Sequence, residues 1–476
     1  MSFQHDNLIP ERAKSRKMVH FWSSSKLPEG FVPHPEPISL VGGVPHHDFF
    51  PIRQIDLHVP SKPFPGPNEK ETVVVIPQVS SDPEELDLAQ GLQYAEVDGS
   101  KQLLKVTRDY TERVAKPAFE DWSTTLTNGS SNGLSKVFSV FLEEGDSILV
   151  EEFTFTPVLS SLKDVGGKPV PLKMDLIKGI DIDYMDDLLE NWSATHPGQR
   201  RPKLLYTIAN GHNPLGVAQS IDHKKKILEL ANKYDFLILE DDPYGYLALP
   251  AYEDVRSGLV DTTKLPTNDE FVKLLHPSYL TFDATGRVIR VETFSKVFAP
   301  GLRLGYIIAH KNVVQAINDF SMVSTRNPSG AAQLLVNDTI HHWGGIEGWL
   351  SWIIKVRQEY VERRNAALDV LYDSKAYKEG WITVIDPKAG MFVAVILNYE
   401  KKGLTAAQIP QFMEQLLVFN SVNGVGVVDG GRMSFDPISA PRANFVRITI
   451  ASAPNLDVLK EAFRRFSKSV QDLFEA

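Results

Sequence analysis

The sequence predicts an α/β protein: a mostly parallel sheet covered by helices on both faces, followed by a smaller α+β unit. Three observations carry this expectation. Short apolar runs at 148–150, 204–208, 236–239 and 288–291 alternate with helical patterns, which is a βαβ rhythm. A chain of 476 residues is too long for one small core and suits a large and a small domain. The strand-like runs are followed by polar turns rich in Gly and Pro, where open α/β sheets carry their ligands.

The elements follow in order. Residues 1–90 are rich in Pro and Gly and weakly periodic, an extended arm leading into irregular structure. Leu134, Val137, Phe138, Phe141 and Leu142 fall at helical spacing, and Gly145 ends the pattern. Ile227, Leu228, Leu230, Ala231 and Tyr234 mark a helix between two of the apolar runs. The segment from about 250 to 280 is polar and contains Pro, which reads as a surface insertion. Trp349, Ile353, Val356, Tyr360 and Leu368 mark a long helix able to join two domains. Beyond about 375 strand and helix patterns mix.

Composition excludes several function classes. Hydrophobic content of 42% with 23% charged residues is that of a folded chain. The formal net charge is −10 and no long basic run exists; Lys224 to Lys226 is short and lies on a predicted helix, so nucleic acid is not an expected partner. There is no cysteine, which rules out disulfides, Cys-ligated zinc, iron–sulfur clusters and thiol nucleophiles. No metal site is expected. Residues 1–17 lack an apolar secretory core and no run of eighteen apolar residues occurs, so a cytoplasmic protein away from the membrane is expected.

The chemistry concentrates at four strand ends. Thr293-Phe-Ser-Lys-Val-Phe-Ala-Pro-Gly-Leu-Arg-Leu-Gly-Tyr306 places Lys296 at the end of an apolar run, between hydroxyl residues and Arg303. A lysine on a rigid strand end beside anion-binding groups suits attachment of a phosphorylated aldehyde as a Schiff base, which points to pyridoxal phosphate. The phosphate needs N–H groups at a helix N-terminus, and Gly129-Ser-Ser-Asn132 opens the Leu134 helix, offering Ser130 and Ser131. Arg303 adds a charged fork; Ser295 and Thr293 add hydroxyls. The ring nitrogen stays protonated beside a buried carboxylate, which either Asp241 or Asp242 can provide. Tyr244 and Asn213 can hydrogen-bond the ring oxygen, and Phe155 can stack on the ring. Partial burial and the nearby cofactor and Arg303 charges would lower the pKa of Lys296, which is then placed to carry the proton between Cα and C4′.

Together these motifs resemble the pyridoxal-phosphate aminotransferases of fold type I, class I/II. Within them the chain is most similar to fungal aromatic amino acid aminotransferases and to kynurenine/2-aminoadipate aminotransferases. The resemblance spans Ile38-Ser-Leu-Val-Gly-Gly-Val-Pro45 to Phe445-Val-Arg-Ile-Thr-Ile450. It implies a large domain with a mixed, mostly parallel seven-stranded sheet, a small α+β domain, and a homodimer with its site at the interface. The implied division is 1–90 as arm and part of the small domain, 91–355 as the large cofactor domain and 356–476 as the small domain. The resemblance assigns Lys296 the covalent link, Asp241 the ring nitrogen, and Asn213 and Tyr244 the ring oxygen. Phe155 is the stacking aromatic. Ser130, Ser131, Ser295 and Arg303 hold the phosphate, with Tyr94 reaching it from the other subunit. Arg447 grips the substrate α-carboxylate, and Gly43 lies beside the substrate. The chain departs from the family's Gly-Ser-Gln-Gln at Gly129-Ser-Ser-Asn132, which keeps a backbone contact and loses a side-chain amide at Ser131.

The implied reaction moves the amino group of phenylalanine, tyrosine or tryptophan to 2-oxoglutarate by a ping-pong route. A broader 2-aminoadipate, kynurenine or methionine aminotransferase stays open, as does a non-transaminating pyridoxal-phosphate enzyme, which Arg447 disfavours by holding the carboxylate. A transcription regulator built on the same fold needs a DNA-binding module that the Pro-rich 1–90 does not supply. For the distal carboxylate of 2-oxoglutarate, the arm offers Arg12, Lys14, Arg16 and Lys17.

Overall fold

A computed structural model describes residues 5–16, 29–32, 34–38, 40, 42–62, 64 and 70–476. Its centre is a seven-stranded sheet in the spatial order Trp122–Thr127, Gly305–His310, Val288–Thr293, Leu237–Asp241, Leu204–Thr207, Ser147–Glu151, Lys168–Leu172. Gly305–His310 runs antiparallel to both neighbours, and every other pairing is parallel. The central strands are buried throughout, which is why they read as continuous apolar runs and not as alternation.

Strand parity sorts the core into two layers. Ile148, Val150, Leu204, Leu237, Leu239, Ile289 and Val291 face the layer under helices Ser130–Phe141, Val158–Asp164 and Lys311–Val323. Leu149, Leu205, Ile238 and Val288 face the opposite layer, under Lys101–Val114, Ile221–Tyr234 and Gly330–His342. The helix Gly345–Asp373 leaves the second layer at Trp349 and Ile353 and enters a separate core at Leu368 and Leu371. That core lies against an antiparallel sheet ordered Ile382–Ile385, Phe392–Leu397, Phe445–Thr449, Val428–Asp429, with helices Ile409–Asn423 and Leu456–Glu475.

Two expectations change here. Two described parts of 1–90 lie on the large sheet's helices. Leu8, Ile9 and Ala13 join the core under Ser130–Phe141, and the hairpin Gln54–Pro60 with Glu71–Pro77 packs through Ile76 against Leu334. The segment 250–280 is more than a surface insertion. Tyr252, Phe271, Tyr279 and Leu280 are buried, and the helix Asn268–Leu274, closed by a Thr267–Glu270 capping box, rests on Gly345–Asp373. Polar composition hid four widely spaced anchors.

Candidate active site

The strand Val288–Thr293 delivers Lys296. Thr293 ends it by capping a short 3-10 turn, Phe294–Lys296: its hydroxyl accepts from Ser295 N at 3.1 Å and meets the Ser295 hydroxyl at 2.7 Å. Burial and then the Arg303 charge lower the pKa of the Lys296 amine, and Asp241 opposes them.

Asp241 ends the neighbouring strand. Tyr206, on the next strand over, donates its hydroxyl to Asp241 Oδ2 at 2.9 Å, while Oδ1 is buried without a partner. Burial lifts the Asp241 carboxyl to about 7; Tyr206 lowers it, the Asp242 charge raises it, and Arg290 and Lys296 lower it. Asp242 points to the opposite face, as strand alternation requires. There it accepts from Gly245 N at 2.6 Å and Asn210 Nδ2 at 3.0 Å, and pairs with Arg290 at 2.9 Å. Geometry thus separates two carboxylates that the sequence leaves equivalent: one is consumed by structure and the other faces the cavity.

The anion end lies at the N-terminus of Ser130–Phe141. Gly129 occupies its N-cap at φ 79° with no side-chain cap, leaving the first-turn N–H groups to a ligand. A Cβ at position 129 would sit 2.5 Å from Arg303 Nη2, so glycine lets the guanidinium close against the backbone. Arg303 itself is left-handed at φ 50°. Asn132 turns back to accept from Asn128 N at 3.1 Å.

These elements enclose a cavity of about 140 Å3 lined by Ser130, Ser131, Phe155, Asn213, Asp241, Tyr244, Ser295, Lys296 and Arg303, with Leu134, Ile208, Pro243, Thr293 and Pro300. Arg447, on Phe445–Thr449, joins its edge: Nη1 donates to Asn213 Oδ1 at 2.8 Å, and the guanidinium lies 4.4 Å from the centre of the Phe392 ring. Arg447 Nε is buried and unpartnered. Burial raises the Tyr244 phenol, and the Asp241 charge adds to this.

Two assigned residues stand apart. Tyr94 is 76% exposed, and Gly43 is exposed on a loop joined to it, where Gln93 Nε2 donates to Pro45 O at 2.7 Å. Neither lines this chain's cavity. The arm is also placed elsewhere: Arg12 Nη2 donates to Ser139 O and Leu142 O at the far end of Ser130–Phe141, Lys14 pairs with Asp6 and Glu11, and Arg16 lies over Phe320. Lys17 lies outside the described residues.

Sequence reasoning missed Tyr206, Phe392 and Arg290. The signal for Tyr206 was a lone hydroxyl inside the apolar run 204–208. Arg290 bridges Glu240 at 3.1 Å, Asp242 at 2.9 Å and Glu292 at 2.6 Å beneath the strand ends. A charge in the middle of a buried strand was its visible trace.

The donor set fits pyridoxal phosphate. The uncapped helix end with Arg303 suits a dianion, the orphaned Asp241 oxygen suits a ring N–H, Phe155 and Ile208 offer apolar walls, and Lys296 offers an amine.

Comparison with known proteins agrees. The family model for aminotransferase class I and II matches residues 64–466. The chain is 36% identical to aromatic amino acid aminotransferase 2 of Saccharomyces cerevisiae, over 98% of this chain and 95% of that protein. It is 30% identical to the mitochondrial kynurenine/alpha-aminoadipate aminotransferase of Rattus norvegicus, covering 81% and 84%. Among solved structures, the aromatic aminotransferase Aro9 of C. albicans superposes with a TM-score of 0.91 at 44% identity, covering 99% and 98%. The chain belongs to the class I and II aminotransferases, pyridoxal-phosphate enzymes built on this mixed seven-stranded sheet.

Proposed function

We propose that the chain moves the amino group of phenylalanine, tyrosine and tryptophan to 2-oxoglutarate in two successive half-reactions at the Lys296 cavity. The observation that carries it is the pairing of a lysine amine with Arg447, braced on Phe392 and Asn213, at a cavity whose apolar and aromatic walls include Leu134, Phe155, Ile208 and Tyr244. Its likeness to proteins named as aromatic aminotransferases supports the donor class. The rat relative's name keeps kynurenine and 2-aminoadipate as the second reading.

Pyridoxal phosphate, when bound, supplies the carbonyl that exchanges with the substrate amine and the ring that takes up the carbanion's electrons. The chain's residues do the rest. Lys296 holds the cofactor covalently at rest and moves the proton at the substrate Cα, for which its lowered pKa suits it. Asp241, fixed by Tyr206, holds a proton at the ring nitrogen. Tyr244 and Asn213 orient the ring oxygen, and Phe155 stacks. Ser130, Ser131, Ser295 and Arg303 take the phosphate. Arg447 grips the α-carboxylate shared by donor and acceptor, and Gly43, outside this chain's own cavity, is assigned a place beside the substrate in the assembled dimer.

We read the active unit as a homodimer in which Tyr94 reaches the partner's phosphate subsite. The exposed apolar residues Ile38, Leu40, Val44 and Phe49 beside that loop support this. Residues 91–355 are read as the cofactor domain and 356–476 as the small domain, with 1–90 as the arm and part of the latter. Among the described residues no helix is long and apolar enough to cross a membrane. A cytoplasmic setting is proposed, since a chain without cysteine draws no stability from an oxidising compartment.

Single-turnover measurements with phenylalanine, tyrosine, tryptophan, kynurenine, 2-aminoadipate, methionine and aspartate test the reading. Aromatic donors should react fastest and 2-oxoglutarate should regenerate the enzyme. A clear preference for aspartate overturns the aromatic assignment.

A further inference from the structure

A second pocket, of about 300 Å3, lies apart from the Lys296 cavity, between the helix Gly345–Asp373 and the segment that covers it. Leu249, Val260, Leu265, Leu274 and Val361 give it an apolar floor, and Arg357 stands in its wall. Arg357 is only 7% exposed. Its Nε donates to the Ala248 carbonyl, and its terminal nitrogens have neither a hydrogen-bond acceptor nor a carboxylate partner among the described residues. The acidic groups of the rim are committed elsewhere: Asp261 to Thr263 and Glu270 to Thr267. Arg364, two turns along the helix, is satisfied by Asp386 Oδ1 at 2.8 Å and Pro250 O at 2.7 Å. Burial, and then the Arg364 charge, bring the Arg357 pKa down to about 10.

A buried guanidinium without a counter-charge is an unfavourable arrangement that an entering anion relieves. The free Nη1/Nη2 edge of the planar fork offers two N–H donors that match a carboxylate. The floor selects what the carboxylate is attached to: a hydrocarbon or aromatic body covers it, whereas inorganic phosphate leaves it wet. The rim carries Lys264 beside Asp261 and Glu270, a mixed set of charges, so the unpaired cation set among the apolar residues is Arg357. The pocket is also tied to the catalytic strand end. Arg357 holds Ala248, four residues beyond Tyr244, and Gln358 Nε2 donates to Thr262 O at 2.8 Å, fixing the covering segment.

We propose that this pocket is a second ligand site that takes a small monocarboxylate with an apolar body, its carboxylate bound by Arg357. The probe is 3-phenylpropionate, which has neither an amino nor an oxo group to exchange, titrated calorimetrically into the cofactor-loaded enzyme. Arg357→Gln should weaken one class of site about tenfold to a hundredfold, the loss expected for a charged hydrogen-bonded pair. Val260→Trp, which fills the floor and leaves Arg357 in place, should abolish the same class. Arg447→Ala separates this site from the cavity of the proposed reaction: it should spare the Arg357 class. If Arg447→Ala changes nothing, the reading of Arg447 fails and the Arg357 site is still scored by its own two variants. No binding, binding unchanged in both Arg357→Gln and Val260→Trp, or displacement by phosphate or 2-oxoglutarate in the Arg447→Ala protein overturns the proposal.

Discussion

Replacing Asp241 with asparagine should stabilise the cofactor-free protein while removing its activity. The side chain is buried, one oxygen bound by Tyr206 and the other without a partner. Its carboxyl is lifted from 3.8 to about 7, chiefly by burial. An acid with a raised folded pKa binds its proton more tightly in the native state than in the unfolded chain. Its ionised form therefore weighs on the fold, fully above pH 7, and the penalty fades as pH falls towards 4. At about 1.36 kcal/mol per unit the penalty is about 4 kcal/mol at pH 8 and under about 2 kcal/mol at pH 5. A chain of 476 residues unfolds with an entropy of roughly 1 kcal/mol per degree. The variant's Tm should then exceed the parent's by roughly 4 °C at pH 8 and by roughly 1–2 °C at pH 5. Calorimetry on cofactor-stripped protein at both pH values reads this directly, and the reloaded variant should lose about a hundredfold or more in its half-reaction rates. An equal gain at both pH values, or a loss at pH 8, refutes the assignment of the penalty to the Asp241 charge.

Three further outcomes are expected. Arg447→Ala should weaken phenylalanine, tyrosine and 2-oxoglutarate alike, by about 2–5 kcal/mol in kcat/KM for each half-reaction; a loss confined to one of them removes its shared carboxylate role. Lys296→Ala and Tyr94→Ala, each severely impaired, should regain part of the activity when mixed and reassembled, and full activity in a verified monomer rules out shared sites. Deleting residues 1–16 exposes the surface under Leu8 and Ile9 and should lower stability by roughly 3–6 kcal/mol, with both half-reactions affected equally. A selective loss with 2-oxoglutarate, measured by single turnover, would return the arm's cations to the site.

How much of this was legible in the sequence depends on the range of the interaction. Lys296, Asn213 and Tyr244 sit in short motifs next to turn residues, and local spacing alone put each at a strand end. The helix Gly345–Asp373 announced itself because twenty-nine residues carry a helical pattern across many turns. Partnership across the sheet was not legible. Tyr206 and Asp241 are 35 positions apart, Arg447 and Asn213 are 234 apart, and Arg12 meets its carbonyls from the far side of the chain. No periodicity encodes such pairs, so Arg12 read as free when it was already spent on the end of Ser130–Phe141.

Asp241 and Asp242 show what decides between neighbours. Both are carboxylates and both are buried, at 4% and 0% exposure, so composition, spacing and burial alike fail to rank them. The difference is the number of donors each one meets. Asp242 meets two backbone N–H groups, an amide and a guanidinium, and this tethers the turn that carries Tyr244. Asp241 meets one hydroxyl and keeps an oxygen in reserve. A buried charge that is fully paired holds the backbone, and one left half-paired at a cavity wall is stabilised only when a ligand completes it. The same reasoning links Asp241 to Arg447 Nε, another buried polar atom left without a partner at this site, and on physical grounds both side chains gain a missing partner when the cavity fills.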